Sequence, residues 1–504
     1  MYTGKTSGEE DRAEYINQIS YNHECGYKRN LLNAGMNLSY QADNFILSSS
    51  TGVQYLYDQM NLDQDFTELD IYTMMQKQNS KTLTEELVLK SKAGQRWQWT
   101  TGISGFYQWL TTDAPVTFQQ DGVKSMIEDN VNNIFPSGSP MMPTMHLTVN
   151  NPTMPVPGSY DTPILNGAIY HQSTLNDLLV EGLSVTAGLR LDYEKIKMNY
   201  NAHSAMNFDF LFKMGPMQME SKNLDALSSF TGKESTDYLQ LLPKFTIQYA
   251  WNKQNNVYVT ATKGYRSGGY NIQMFSDLIQ GSLKNAMLDA LAQDPNFSKF
   301  ASMFEKYKDQ PANVSETVLY KPEYSWNYEV GTHLTLFDGK LQADLAAFYM
   351  DTRDQQISRF SENGLGRITV NAGKSRSIGA EASLRAQLTD AWSLNGNYGY
   401  TYATFTDYET NEKAGKEIVK ISYNGHYVPF VPKHTFSVGT QYIWTLRKNS
   451  ILDNITFNAN YKAAGRIYWT EKNDASQSLY GTLNGRISLN KGNGQIGFWV
   501  NNAL

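Results

Sequence analysis

Residues 378–388 read Ile378-Gly379-Ala380-Glu381-Ala382-Ser383-Leu384-Arg385-Ala386-Gln387-Leu388. Every even position is apolar or small, and every odd one is polar or Gly. A period of two over this length predicts a long strand with one greasy and one wet face. The pattern recurs. In 183–194, Leu183, Val185, Ala187, Leu189, Leu191 and Tyr193 oppose Ser184, Thr186, Gly188, Arg190, Asp192 and Glu194. Residues 326–336 and 434–444 alternate likewise, and 97–107, 245–251, 341–349 and 455–461 do so less cleanly. This gives about 17 candidate strands, many longer than the mean strand of soluble sheets.

The connections carry the second signal. Short turns at Ala42-Asp43, Ala93-Gly94, Glu181-Gly182, 253–255, Asp338-Gly339, Asp390-Ala391 and 492–494 hold the Gly, Asn and Asp that hairpins use. Between them fall long segments, expected as loops, at about 58–80, 111–162, 200–236, 267–320, 407–431 and 465–477. Short turns on one rim and long loops on the other match the two sides of an outer-membrane barrel. The predicted fold is therefore all-β, an antiparallel transmembrane β-barrel occupying residues 1–504 as one domain. Within the loops, 276–308 has apolar residues at helical spacing. Residues 111–162 are rich in Pro and Met and read as an ordinary mobile loop.

Composition agrees. Of 504 residues, 13 % are aromatic, including 33 Tyr, and the net charge is −6, which gives no sign of a nucleic-acid partner. One cysteine, Cys25, excludes an intramolecular disulfide and a thiolate-rich metal site. Mean hydropathy is −0.49 and no apolar run approaches a spanning helix, which tells against a helical membrane protein and not against a barrel. Residues 1–11 hold no apolar core of the kind a signal peptide has. A propeller or β-helix would show a fixed internal period, and none is found.

Three segments carry a family resemblance: 264–271 (Gly-Tyr-Arg-Ser-Gly-Gly-Tyr-Asn), 321–331 (Lys-Pro-Glu-Tyr-Ser-Trp-Asn-Tyr-Glu-Val-Gly) and 371–381 (Asn-Ala-Gly-Lys-Ser-Arg-Ser-Ile-Gly-Ala-Glu). Together with Val431-Pro432-Lys433-His434 they resemble the TonB-dependent outer-membrane receptors from about residue 160 onward. The resemblance implies a barrel of about 22 strands closed by a plug. It implies a location in the outer membrane, lipid and TonB as partners, and active uptake of a scarce ligand, most often a ferric siderophore. TonB would act through a segment preceding the plug, and neither that segment nor the plug is found here. The chain is thus expected to be a barrel portion truncated at both ends, with unpaired edges that would bar insertion. Cobalamin, haem and oligosaccharides are the alternative ligands, and a passive porin of about 16–18 strands is the rival function.

The wet faces, with Arg190, Asp192, Glu194, Glu329, His333, Glu381 and Arg385, would line the lumen, mostly as a solvated or plug-facing surface. Candidate ligand contacts are Tyr265, Arg266 and Tyr270, where Arg suits an anion and Tyr can stack. Arg353 and Arg359 lie near the next loop. The competing reading is a strand end with girdle aromatics. The seven His are scattered, and neither H-E-x-x-H nor G-x-S-x-G occurs. No enzyme activity, cofactor or metal is expected.

Overall fold

The computed structural model describes residues 21–63, 69–132, 144–360, 367–414, 417–448 and 450–504. Its frame is an antiparallel meander. The staves are β1 (Gly26–Gln41), β2 (Phe45–Asp63), β3 (Tyr72–Ser91), β4 (Trp97–Asp113), β5 (Ile164–Leu175), β6 (Leu183–Met214), β7 (Met217–Ala250) and β8 (Asn256–Arg266). They continue as β9 (Glu323–Leu336), β10 (Leu341–Arg353), β11 (Lys374–Thr389), β12 (Trp392–Asp407), β13 (His434–Thr445), β14 (Asn454–Ala464), β15 (Tyr480–Lys491) and β16 (Gly494–Val500). Each pairs with its neighbour in sequence. Among the described residues β1 and β16 are not paired with each other. Among the described residues sixteen strands form the meander, in line with the expected seventeen or so.

Register explains why alternation works. Val185, Ile247, Val259, Val330, Ala347, Ala380 and Tyr400 form one unbroken row across seven strands. Because side chains alternate faces, this row and every second one beside it point outward. Leu189 is 49 % exposed and Leu384 44 %, as residues that face lipid and not the protein interior are. Exposed aromatics border the band. Trp97, Tyr249, Trp392, Tyr442 and Trp444 lie toward the short turns, and Trp109, Tyr193, Tyr328 and Tyr349 toward the loops. Tyr and Trp rings settle at such interfaces because one end is apolar and the other wet. On the inner face Gly379 is required, since a Cβ there would meet the Phe348 ring at 2.3 Å.

Short turns and longer excursions from the wall alternate along the meander, yet two expected loops are something else. Residues 200–236 are the upper parts of β6 and β7, which run 32 and 34 residues and turn only at Gly215-Pro216. Residues 58–80 are largely the ends of β2 and β3. Polar outer residues such as Asn199, Asn201 and Thr231 broke the hydrophobic alternation. The ladder continued because the inner face, Met198, Ala202, Met206, Phe208 and Phe210, has something to bury against.

That partner is a hydrophobic core on the loop side, the cap core. α1 (Met274–Gln293) turns Phe275, Leu278, Ile279, Leu283, Met287 and Leu291 onto the inner wall of the hairpin. α2 (Ala301–Tyr307) adds Phe304. The described part of the Pro- and Met-rich segment is not a mobile loop. It forms strands at Thr144–Val149, Met154–Val156 and Gly158–Asp161, with Leu147 and Met154 fully buried. Met141 and Met142 of the same segment lie outside the described residues.

Candidate ligand-binding mouth

Where the apolar band ends, the inner wall carries a buried polar cluster. Asp192 of β6 is 3 % exposed. Its Oδ2 accepts from Arg190 Nε at 2.9 Å and Nη2 at 2.8 Å. Its Oδ1 accepts from Asn166 Nδ2 at 2.5 Å and from the Tyr265 hydroxyl at 2.8 Å. Arg190 also donates to Ser104 Oγ at 3.2 Å and lies over the Tyr170 ring, whose hydroxyl donates to Glu86 at 2.8 Å. A carboxylate this buried is tolerable only when paired and fully hydrogen-bonded, and here both oxygens are.

Cross-strand pairing organises the next layer. Asp192 faces Gln240 in the β6–β7 register, and Tyr265 faces Tyr324 in the β8–β9 register. Gln240 Nε2 donates to the Tyr324 hydroxyl at 2.9 Å. One rung up, Glu194 accepts from Ser267 Oγ at 2.7 Å. Pairing of β7 with β8 stops at Lys244–Thr262, so the end of β8 leaves the wall and brings Tyr265 and Ser267 over β6.

Above this level three loop segments are knotted together by amides. Asn371 Nδ2 donates to the carbonyls of Lys321 (2.9 Å) and Asp354 (2.8 Å), and its Oδ1 accepts from Lys321 N at 2.8 Å. Asn271 makes the same two-way contact with the backbone of Thr369, 2.8 Å in each direction. Gln356 Nε2 donates to the carbonyls of Ser267 and Lys321 at 2.8 and 3.0 Å, and its own N–H donates to Glu323 at 2.7 Å. The chain can turn beside Asn371 because Gly373 adopts φ +52°, with no room for a Cβ against the Asp407 carbonyl. Asn271, Lys321, Glu323, Asn371 and Gly373 come from the three segments that carry the family resemblance. Their common task here is to fix the bases of two loops.

The structure separates the predicted site residues. Tyr265 turns its hydroxyl into the wall, onto Asp192, and is a positioning residue there. Arg266 is exposed beside it. Tyr270 is half-buried against the cap core, and burial together with Glu234 and Tyr238 pushes its hydroxyl up to about 12. Tyr320 is raised too, by burial, with Arg266 acting in the opposite direction. Arg353 is 68 % exposed at the end of β10, 3.6 Å from Asp351. Arg359 lies in a small hairpin, Gln356–Phe360 with Arg367–Asn371, and its Nε has no hydrogen-bond partner among the described residues. Tyr265, Arg266 and Tyr270 are neighbours along one segment. Arg353 and Arg359 are tied to it only through the amide knot. Sequence reasoning missed Gln356, Asn271 and Asn371 as site-building residues, although two of them sit inside the family-like segments. It also missed Tyr320, whose pairing with Gly269 no local pattern announces.

Among the described residues no group of three or more metal-ligating side chains occurs.

A two-faced antiparallel wall with alternating short turns and long excursions defines an outer-membrane β-barrel. The model for the TonB dependent receptor-like β-barrel matches residues 2–503, and the chain belongs to that family. The chain is similar to a probable TonB-dependent siderophore receptor, PiuA of Acinetobacter baumannii, with 26 % identity over 31 % of this chain and 20 % of the relative. It is similar to the catecholate siderophore receptor Fiu of Escherichia coli K12, with 25 % identity over 36 % of this chain and 20 % of the relative. Each match therefore spans about a fifth of the curated relative. In fold it resembles the ferric yersiniabactin uptake receptor FyuA from Yersinia pestis, with a TM-score of 0.63 and 17 % identity, covering 96 % of this chain and 58 % of that one.

Proposed function

We propose that this chain is the barrel of a receptor for TonB-dependent uptake of a ferric siderophore. One observation carries the reading. Arg266, Arg353 and Arg359 are presented by segments that Asn271, Asn371 and Gln356 tie into a single unit at the mouth. Guanidinium groups on a preorganised frame suit an anionic, oxygen-rich ligand such as a ferric catecholate. The siderophore receptors PiuA and Fiu, to which the chain is similar, point the same way. In this reading the loops capture the complex, and Tyr265 and Ser267 relay the loop position to Asp192 and Glu194 on the lumen wall. A plug and TonB complete transport.

The test is uptake of radioactive iron into cells that carry the full-length receptor and lack other siderophore receptors. Ferric catecholates, ferric hydroxamates and haem are supplied in turn, with and without TonB. TonB-dependent uptake of a siderophore supports the proposal. Uptake independent of TonB, scaling linearly with concentration, would establish the porin alternative.

A further inference from the structure

Over β2 to β5 the outer wall carries polar groups at a depth where lipid offers them no partner. Leu189 faces lipid, and its rung runs through His171 and Thr101 to Leu89. Glu85 stands on the same face, between exposed Leu83 and Leu87. Ser49 Oγ donates to Glu85 Oε1 at 2.7 Å, and Thr51 Oγ1 donates to Oε2 at 2.5 Å. His171 is hydrogen-bonded through Nδ1 to Thr101 Oγ1 (2.7 Å) and through Nε2 to Ser173 Oγ (3.0 Å). Ser173 also accepts from Trp97 Nε1 at 3.1 Å. The rung of Glu85 continues as Gly105 and Gly167, and a Cβ at Gly167 would meet only open space. The wall is notched beside the carboxylate.

Ile103 lies six residues from Trp97 and six from Trp109, midway between the two aromatic borders. Glu85 pairs with Gly105 and His171 with Thr101, so each stands within two residues of this midplane. An ionisable side chain at that depth is costly toward lipid and marks a site with a partner. A carboxylate has roughly four acceptor positions, of which the two hydroxyls take two. Glu85 is half-exposed and His171 exposed, so both can be reached from the side of the barrel.

The two groups are arranged about Ile103. Glu85 lies one strand to one side of it and His171 one strand to the other. The rung of Trp109 reaches β6 at Lys197, beyond the girdle's Tyr193, so rungs climb toward the loop side from β3 to β6. At a strand tilt of about 45°, two strand spacings raise β5 by about 7 Å along the Glu85 rung. His171 is four residues below Gly167 on that rung, which lowers it by about 9 Å. Glu85 and His171 therefore share one height to within about 3 Å, about 16 Å apart, with Ile103 between them. We propose that this chain pairs with a second copy of itself in the membrane plane through the outer faces of β2 to β5. A two-fold axis along the membrane normal through Ile103 brings Glu85 of each copy to His171 of the other, so an acceptor and a donor meet twice. The imidazole exchanges its longer bond, to Ser173, for the carboxylate, and Ser173 keeps the indole N–H. Gly105 and Gly167 allow the walls to approach closely, as small residues do between membrane segments.

Photocrosslinking of the full-length receptor in native outer membranes provides the test. Photoreactive benzoylphenylalanine replaces Leu87, beside Glu85, or Leu384, on β11. Illumination should give an adduct of twice the receptor mass from position 87, with the crosslinked peptide from β5. Position 384 should give lipid adducts only. Two differently tagged receptors in one cell should both appear in the adduct. Glu85→Leu with His171→Leu should cut the adduct about tenfold, the loss expected when a few hydrogen bonds leave a membrane interface. Heat-modifiable migration should stay native, since leucine suits lipid. Gly167→Leu fills the notch and should cut the adduct likewise. An adduct from position 87 no more abundant than that from 384 would overturn the proposal. So would an adduct holding a different protein, or a wild-type yield from the leucine pair. If the leucine pair fails to fold, Gly167→Leu decides, and an undiminished adduct there would overturn the two-fold contact.

Discussion

The Tyr265 hydroxyl donates to Asp192 Oδ1 at 2.8 Å, although 73 residues and an intervening strand separate them. This bond joins the first residues of the mouth to the lumen wall. Tyr265→Phe removes one hydrogen bond to a charged acceptor and should cost roughly 1.5–3 kcal/mol of local stability. Hydrogen exchange of the 264–271 amides in the full-length receptor checks this. Exchange unchanged from wild type would mean that Tyr265 is held by its ring alone.

Strand facing gives a sharper expectation. Leu189→Arg or Leu384→Arg sets a charge against lipid and should cost roughly 2–4 kcal/mol near mid-bilayer. Ser383→Arg points into the lumen and should cost much less. Denaturant titration of folding into phospholipid vesicles measures all three, and equal costs would refute the assigned faces.

The amide knot predicts loop coupling. Asn371→Ala strips two carbonyls and one N–H of their partner, and should expose both 267–322 and 354–373 to limited proteolysis. Cleavage confined to the second loop would show that the two move separately.

The cap core is tested by Phe275→Ala. Phe275 is 1 % exposed, between the rings of Tyr160 and Tyr200 at 5.1 and 4.9 Å. Its truncation should cost about 3–5 kcal/mol. The barrel should survive, so heat-modifiable migration stays native while the tryptic site of α1, Lys284, opens.

Asp209, far up the β6 extension, supplies a pH dependence. Hydrogen bonds from Asn150 Nδ2 and from the Asn223 N–H hold its carboxyl below the ordinary value. A depressed folded-state value means stabilisation that is fully present above the unfolded value, near 4. It is lost as pH falls through the folded value. Exchange protection around Asn223 should therefore drop on acidification below about pH 4. Asp209→Asn should flatten that profile.

How much of this could be read from sequence follows from where the period of two is enforced. Between residues 183 and 193, or 378 and 388, lipid demands apolar residues on one face, and the pattern is clean. Above Tyr193 the outer solvent is water. Lys195, Lys197, Asn199 and Asn201 then read as loop, although the ladder runs on to Met214. The inner residues Met198, Ala202 and Met206 kept the period, but the α1 face they bury against lies about 70 residues away in the chain. The site was legible only as segments. Asn271, Lys321 and Asn371 stood inside the family-like stretches, while the bonds of Asn371 to Lys321 and of Asn271 to Thr369 depend on strands ending at one height. Arg353 and Arg359 join the Arg266 segment only through Gln356 and Asn371, a link that no local pattern announces.

The hairpin of β6 and β7 has one more implication. A strand of 32 residues extends about 100 Å at 3.3 Å per residue, of which a tilted crossing uses about 9–11 residues. Some two thirds of its length is thus a mast standing in the aqueous phase, stiffened by the cap on its inner side. An incoming solute meets this mast before it meets the membrane. Its first encounter is with the turn at Gly215-Pro216, then with the polar outer side chains of Asn201, Thr231 and Asn199 lower down, and only afterwards with the arginines at its foot.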